Sequence, residues 1–245
     1  MLFKTRAKTE GLHQQGYPVN DGTHYLEVLD AAERLLKPDW YLEIGSRSGT
    51  SLARRTCNYI GVDPEFNIVS KVFNRAAQMH FMQMTSDAFF DSAFLERLGI
   101  RPRMAFVDGM HHFEFALRDF LNCERTMDAG GLVFLHDVLP FNAAMTRRKY
   151  EPGTPWTGDV WKTILILVEA RPDLQIDVIT AAKTGLACIR GLKADNGGLL
   201  ESLDGLMAEY GPLEIEAFGI QTYLAKLNLV SPEKFLQSLS SNVPG

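Results

Sequence analysis

"YLEIGSRSGTS", residues 41–51, sets Gly45, Gly49 and a group of hydroxyl side chains directly after a short apolar run. A glycine-rich turn leaving a strand cradles a ligand, and the spacing tells which kind. A phosphate-binding loop needs G-x-x-x-x-G-K-[ST], and no lysine follows Gly49. A dinucleotide fingerprint needs G-x-G-x-x-G, whereas this turn reads Glu43-x-Gly45-x-x-x-Gly49. The next apolar run, "YIGVD", ends on Asp63, 20 residues after Glu43, where a carboxylate accepts ribose hydroxyls. An acid inside the first motif repels a pyrophosphate and suits a ligand carrying an ammonium and a sulfonium.

Outward from this turn, apolar strands alternate with helical periodicity. Residues 24–36 put Tyr25, Val28, Leu29, Ala32 and Leu36 on one helix face, and Pro38 stops the helix. "TSLARRTCN" predicts a compact helix, "MHFMQM" (79–84) a third strand and 91–98 a helix. "RMAFVDG" (103–109) and "GLVFLHDV" (131–138) predict two more strands, each ending on acids. Between them a helix carries Ala116, Phe120, Cys123 and Met127. A helix over 159–170 and a hairpin of "LQIDVIT" with "GLACIRG" follow. This order predicts an α/β fold: a mostly parallel sheet covered on both faces, with the hairpin making one edge antiparallel. After "KADNGG" (193–198) the rhythm changes to a helical stripe over 199–210, and Ser231-Pro232 opens a last short helix. The expected division is a domain over 1–192 and a helical extension over 193–245.

Composition narrows the partners. Lys and Arg total 25 against 30 Asp and Glu, a net charge of −5, which gives no electrostatic footprint for nucleic acid or a bilayer surface. "MLFKTRAKTE" lacks the apolar stretch of a signal peptide, and runs such as "ILILV" (164–168) are too short to span a membrane. Cys57, Cys123 and Cys188 are odd in number and widely spaced, which suits reduced thiols in a cytoplasmic protein.

With these motifs in place, the sequence resembles the class I S-adenosylmethionine-dependent methyltransferases. "LEIGSRSGTS" is similar to their first motif and "IGVDPE" to their second. "FVDGMHHFEFALRDF", "GGLVFLHDV" and "DVWKTI" resemble the small-molecule O-methyltransferase branch typified by macrocin O-methyltransferases and cephalosporin-hydroxylase-like proteins, over about residues 24–191. The resemblance implies a Rossmann-like three-layer sandwich with a seven-stranded sheet, and S-adenosylmethionine as cofactor. It implies that Gly45, Ser46 and Gly49 border the methionine part, that Glu43 sits near its amino group and that Asp63 holds the ribose. Ser86 and Asp87 fall where that family contacts adenine.

An alcohol acceptor must lose a proton as it takes the methyl. Two devices are available at the strand ends. Asp108 and Asp137 are placed to hold a divalent metal, Mg²⁺ in relatives with similar acids. His136 stands where those relatives often have a second acid, which weakens a hard-oxygen site; Asn142 offers one more oxygen. The other device is His111, directly after "VDG", as general base, with His112 pointing elsewhere. The loop 146–159 is a candidate lid, with Trp156 for stacking and Arg147, Arg148 or Lys149 for an anion. The expectation is a methyltransferase acting on a hydroxyl of a sugar or other small metabolite. An NAD-dependent oxidoreductase and a non-catalytic cofactor-binding module are the alternatives. The acceptor's identity and homo-oligomer formation stay open.

Overall fold

The structure is a computed structural model that describes residues 13–20, 22–73, 78–195 and 198–242. The opening segment read above for a leader, and the last three residues of the extension, lie outside them. Helix α1 (Tyr25–Leu36) is followed by β1 (Trp40–Ile44), β2 (Asn58–Val62) and β3 (Met79–Met82). Next come α2 (Ser86–Asp91), α3 (Phe94–Leu98), β4 (Met104–Val107), α4 (Phe113–Thr126) and β5 (Leu132–His136). Then follow α5 (Trp161–Ala170), β6 (Gln175–Ile179), β7 (Leu186–Arg190), α6 (Leu203–Tyr210), α7 (Ile215–Phe218), α8 (Ile220–Leu224), β8 (Asn228–Val230) and α9 (Pro232–Asn242).

The strands form one sheet in the order β3-β2-β1-β4-β5-β7-β6-β8. Only β7 runs antiparallel to its neighbours. Successive strand side chains face opposite sides, so each strand feeds two cores. Leu42, Ile44, Ile60, Val107, Val133 and Leu135 face α4 and α5. Tyr41, Tyr59, Phe106 and Phe134 face α1 and its buried Val28, Leu29 and Ala32. Helix α1 is well bounded: His24 Nδ1 accepts from Leu26 N at 3.3 Å, and Lys37, in the left-handed region, donates to Glu33 O at 2.8 Å. No helix among the described residues is long and apolar enough to cross a membrane.

Two expectations change. The sheet has eight strands rather than seven, because the expected helical extension returns to the sheet. Its β8 pairs in parallel with β6, from Asp177–Asn228 to Ile179–Val230, so β7 lies inside the sheet and not at its edge. "TSLARRTCN" forms only a 3₁₀ turn, Leu52–Arg54. Arg55 is fully buried and turns its guanidinium back to Leu29 O, Asp30 and Glu33. Glu33 in turn accepts from Thr56 N and Cys57 N. These ties to α1 pull the chain straight into β2 and leave no length for an α-helix. The closing helix does start as the sequence reads, with Ser231 Oγ accepting from Lys234 N at 3.3 Å.

Candidate active site

The carboxyl ends of β1, β2 and β4 converge on a cleft of about 580 Å³. This is where ligands bind in open parallel sheets. Strand β1 leaves through Gly45, whose φ is +92° and whose N–H donates to Val62 O at 2.9 Å. A Cβ there would stand 2.1 Å from the Asp108 carbonyl oxygen, so only glycine lets this turn pass the exit of β4. Asp63 closes β2 with its carboxylate fixed by backbone: Arg47 N donates to Oδ2 at 2.9 Å and Glu65 N to Oδ1 at 2.8 Å. Each oxygen keeps acceptor capacity for a ligand hydroxyl. Gly45, Asp63, Ser86, Asp87, Asp108 and His111, all singled out by sequence, line this one cleft.

Glu43, Ser46 and Gly49 do not reach its wall. Glu43 shares strand parity with Tyr41 and points toward the α1 side, 1% exposed. Its Oε2 accepts from Tyr41 Oη at 2.7 Å and its Oε1 from Ser51 Oγ at 2.5 Å. Burial pushes its pKa up to about 7 against the pull of those two donors. Ser46 Oγ donates to Glu43 O at 3.2 Å, and Gly49 N donates to Ser46 O at 2.6 Å. The three residues brace the turn from beneath; as positioned here, Glu43 is not available to a ligand amino group.

At the cleft's other end two imidazoles and two carboxylates interlock. His111 Nε2 lies 3.5 Å from Asp108 Oδ1, and its Nδ1 lies 3.2 Å from Asp137 Oδ2. His136 Nδ1 lies 3.1 Å from Asp108 Oδ1 and 3.5 Å from Asp137 Oδ1. Thr184 Oγ1 donates to Asp137 Oδ1 at 2.5 Å, and the Tyr25 ring packs on His136 at 4.0 Å between centroids. Burial alone would lower both histidine pKa values, but the facing carboxylates win. They raise His111 to about 9 and His136 to about 10. Burial likewise opposes charge on Asp108, yet His136 and His111 hold its carboxyl well below the usual range. Donor atoms of Asp108, His111 and Asp137 lie within 4.8 Å of one another, close enough to share a divalent cation. Asn142 Oδ1 accepts from Met145 N at 3.0 Å.

The loop 146–159 is docked over His111. Trp156 stacks on the His111 ring at 4.8 Å, and its Nε1 donates to Arg147 O at 2.6 Å. Arg148 is committed to Glu114 and Asp159, so of the expected anion-meeting cations it is already paired. Asp159 also accepts from Phe113 N at 2.9 Å, capping α4, and from Lys162 Nζ at 3.1 Å. His112 turns away, as expected, with Nε2 at 3.0 Å from Arg148 O. Sequence reasoning passed over Tyr25 and Thr184, which carry no motif, and over Tyr150, 5.4 Å from Trp156 between centroids. It also passed over Asp119, whose signal was visible: an acid on the same helix as the apolar Ala116, Phe120 and Cys123. Asp119 is 3% exposed and lines the cleft beside Ser86.

A second recess of about 420 Å³ runs along β6, past Arg171, Asp177, Arg190 and Lys226. Its cations are already paired: Arg171 with Glu124 and Asp173, Arg190 with Asp177, Lys226 with Glu169. The chemistry therefore concentrates in the first cleft.

Residues 42–138 match the family model described as a methyltransferase domain. No curated protein matches the sequence. Among solved structures, the O-methyltransferase TomG from Streptomyces achromogenes, involved in tomaymycin synthesis, superposes with a TM-score of 0.52 at 18% identity, over 69% of this chain and 80% of that one. A putative caffeoyl-CoA O-methyltransferase from Staphylococcus aureus gives 0.52 at 15% identity, over 75% and 88%. Cofactor-bound Rv0187 from MTB gives 0.50 at 12%, over 78% and 89%. These likenesses establish a shared fold, and the matched segment runs from β1 to the end of β5, the part of the sheet that builds the cleft. Residues 42–138 thus match the model of a methyltransferase domain, and the sheet that carries them has the Rossmann-like fold of these O-methyltransferase structures.

Proposed function

We propose that this chain moves the methyl group of S-adenosylmethionine to a hydroxyl of a sugar or other small metabolite. The observation that carries the reading is one cleft with two complementary ends. Gly45 and Asp63 stand at one, and His111, wedged between Asp108 and Asp137, at the other. Bound S-adenosylmethionine supplies an electrophilic methyl on a sulfonium. The chain's task is to align the acceptor oxygen with it, exclude water and remove the hydroxyl proton. Asp63 offers its free lone pairs to the ribose hydroxyls, and the Gly45 turn leaves room for the methionine part. Asp108 and Asp137 flank the His111 ring at both nitrogens and raise its pKa to about 9, so His111 takes the acceptor's proton only in its deprotonated form, and turnover by this route should rise with pH toward about 9.

The same donors fit a divalent cation, and Mg²⁺ is a second reading supported by the proximity of Asp108, His111 and Asp137. An imidazole among the donors favours a softer ion such as Mn²⁺ or Zn²⁺ over Mg²⁺. The net charge of −5 suits a small-molecule acceptor better than nucleic acid, and a cytoplasmic setting suits the unpaired cysteines.

Calorimetry with S-adenosylhomocysteine tests the cofactor assignment. Asp63→Ala should weaken binding by at least about tenfold, the loss of hydrogen bonds to a charged acceptor, with the fold kept. Unchanged affinity would sink the assignment, and a rise in NADH fluorescence on titration would favour an oxidoreductase instead. Methyl turnover with any acceptor removes the non-catalytic alternative. Full turnover in excess chelator assigns proton removal to His111 alone; loss restored by Mg²⁺ or Mn²⁺ assigns it to a metal.

A further inference from the structure

The two edges of the sheet are finished differently. Strand β8 is three residues long, and its Asn228 Nδ2 donates to Asp177 Oδ1 at 2.7 Å. Strand β3, at the other edge, reads Met79-His80-Phe81-Met82 and continues into Gln83. It carries no charged residue and no proline, the residues that ordinarily blunt an edge. Its ladder to β2 shows which backbone groups are spent. Gln78 O and Met82 O accept from Tyr59 N and Asp63 N at 3.1 and 3.2 Å. With Tyr59 opposite Met79 and Gly61 opposite Phe81, the alternation of a parallel ladder turns His80 inward as well. The N–H and C=O groups of Met79, Phe81 and Gln83 therefore point away from the sheet. Among the described residues no hydrogen bond outside the ladder reaches them.

Beside this edge lies an apolar surface. Phe81 meets Phe73 and Phe66 edge-on, at 5.5 and 5.6 Å between centroids. Phe73 is 70% exposed and Val69 74%, and Ile68 adds a third exposed apolar side chain from the same loop. That loop is fastened along its length. Asn67 N donates to Arg47 O at 2.8 Å, Val69 N to Ser48 O at 3.1 Å, and Tyr59 Oη to Val72 O at 2.8 Å. A braced, exposed apolar patch next to an unpaired strand edge marks a surface that another chain covers.

We infer that a second copy of this chain covers it, β3 pairing antiparallel with the partner's β3 about a two-fold axis at Phe81. The outward residues 79, 81 and 83 are symmetric about 81, so this register uses all of them. Phe81 exchanges hydrogen bonds with the partner's Phe81, and Met79 with the partner's Gln83. Phe81 and Phe73 of both copies then come together on one face of a continuous sheet. An open strand edge calls for a strand, and the net charge of −5 speaks against an anionic bilayer. Strand β8, the other edge, is too short to fill these positions, which leaves the β3 edge of a second copy as the matching occupant. The inference does not depend on the cofactor reading.

Sedimentation velocity of the full chain at micromolar concentration tests it. The wild-type chain should sediment as a single species of twice the chain's mass. Gln83→Pro removes one outward N–H per copy, hence two hydrogen bonds per pair, and should raise the dimer dissociation constant by about tenfold or more. Phe73→Lys sets like charges close to the axis and should leave a monomer. Thermal melts accompany both variants. If Phe73→Lys fails to fold, Gln83→Pro carries the comparison, since its outward position leaves the ladder to β2 intact. A monomeric wild-type chain overturns the inference, and one that floats with phosphatidylcholine vesicles would assign the patch to lipid instead. A dimer whose dissociation constant neither substitution moves also overturns it, because the contact then lies on another face. So does a polydisperse series of larger species, the sign of non-specific adhesion.

Discussion

Glu43 shows how a motif residue can be legible in type while the fold sets its direction. The spacing from Glu43 through Gly45 to Asp63 distinguishes this turn from the phosphate and dinucleotide fingerprints. Strand alternation also makes Glu43 a partner of Tyr41 rather than of Leu42 and Ile44. The sequence places the site at the strand ends; what it does not carry is that Glu43, two residues before the turn, stays on the α1 side with Tyr41 and Ser51. The buried carboxyl has a measurable consequence. Its folded-state pKa of about 7 lies above the ordinary 4.5, so between those values the folded chain holds a proton that the unfolded chain has lost. Its stabilising contribution is complete below about pH 4.5, falls as pH rises through the window, and levels off above 7. Over the whole window the change amounts to about 3 kcal/mol at most. Glu43→Gln keeps the shape and a hydrogen-bonding group for Tyr41 and Ser51 but removes the titration. The difference in unfolding free energy between wild type and variant, followed by urea titration from pH 4.5 to 8, should shift steadily in favour of the variant. A pH-independent difference would place the proton elsewhere.

At the scale of elements, the central strands and most helices follow from apolar periodicity, because both faces of β1, β2, β4, β5 and β7 are covered. Failures fall where distant contacts decide. The "TSLARRTCN" segment has helical composition, but Arg55 is recruited by Asp30 and Glu33 on α1. The loop 146–159 has a lid's composition, yet Arg148 is tied to Glu114, 34 residues earlier. Asp159 is the hub of that attachment, receiving Arg148, the buried Lys162 and the first N–H of α4. Its own N–H donates to His111 O at 3.1 Å. Removing the carboxylate deletes an N-cap, worth about 1 kcal/mol. It also strands the 2% exposed Lys162 cation with only Gly211 O, 2.9 Å away, a loss of about 3 kcal/mol or more. Asp159→Ala should therefore lower the melting temperature and reduce turnover together, since the loop over His111 loses its side-chain ties to Phe113 N and Arg148. Asp159→Asn, which keeps the cap, should retain more of both. A stable Asp159→Ala chain with unaltered turnover would mean the loop is not held through this residue.

The whole molecule is where the sequence is least informative. "NLV" at 228–230 is too short to announce a strand, and its register against β6 depends on a turn made only after the sheet exists. The same holds for α9, which reads as an isolated amphipathic helix but packs on α1. There Phe235 and Leu239 join the core beneath Phe134. Tyr223, wholly buried, donates to Val138 O at 2.9 Å just beyond β5, so the extension grips the sheet at two places. On this arrangement Tyr223, Phe235 and Leu239 belong to the buried core, and the stability of the sheet is expected to depend on them. Phe235 is 2% exposed with its ring edge-on to Phe134, 6.2 Å between centroids. Phe235→Ala should cost about 3–5 kcal/mol, the cavity and transfer loss of a buried phenylalanine. It lies on the α1 face of the sheet, whereas the cleft is walled by strand ends and by α2 and α4. At a temperature where the variant remains folded, its affinity for S-adenosylhomocysteine should therefore match that of the wild type. A variant of undiminished stability would show that the extension rests on the sheet without supporting it. Weakened binding in a folded variant would show that the extension reaches the site through α1, by way of the Tyr25 ring packed at a tilt against His136.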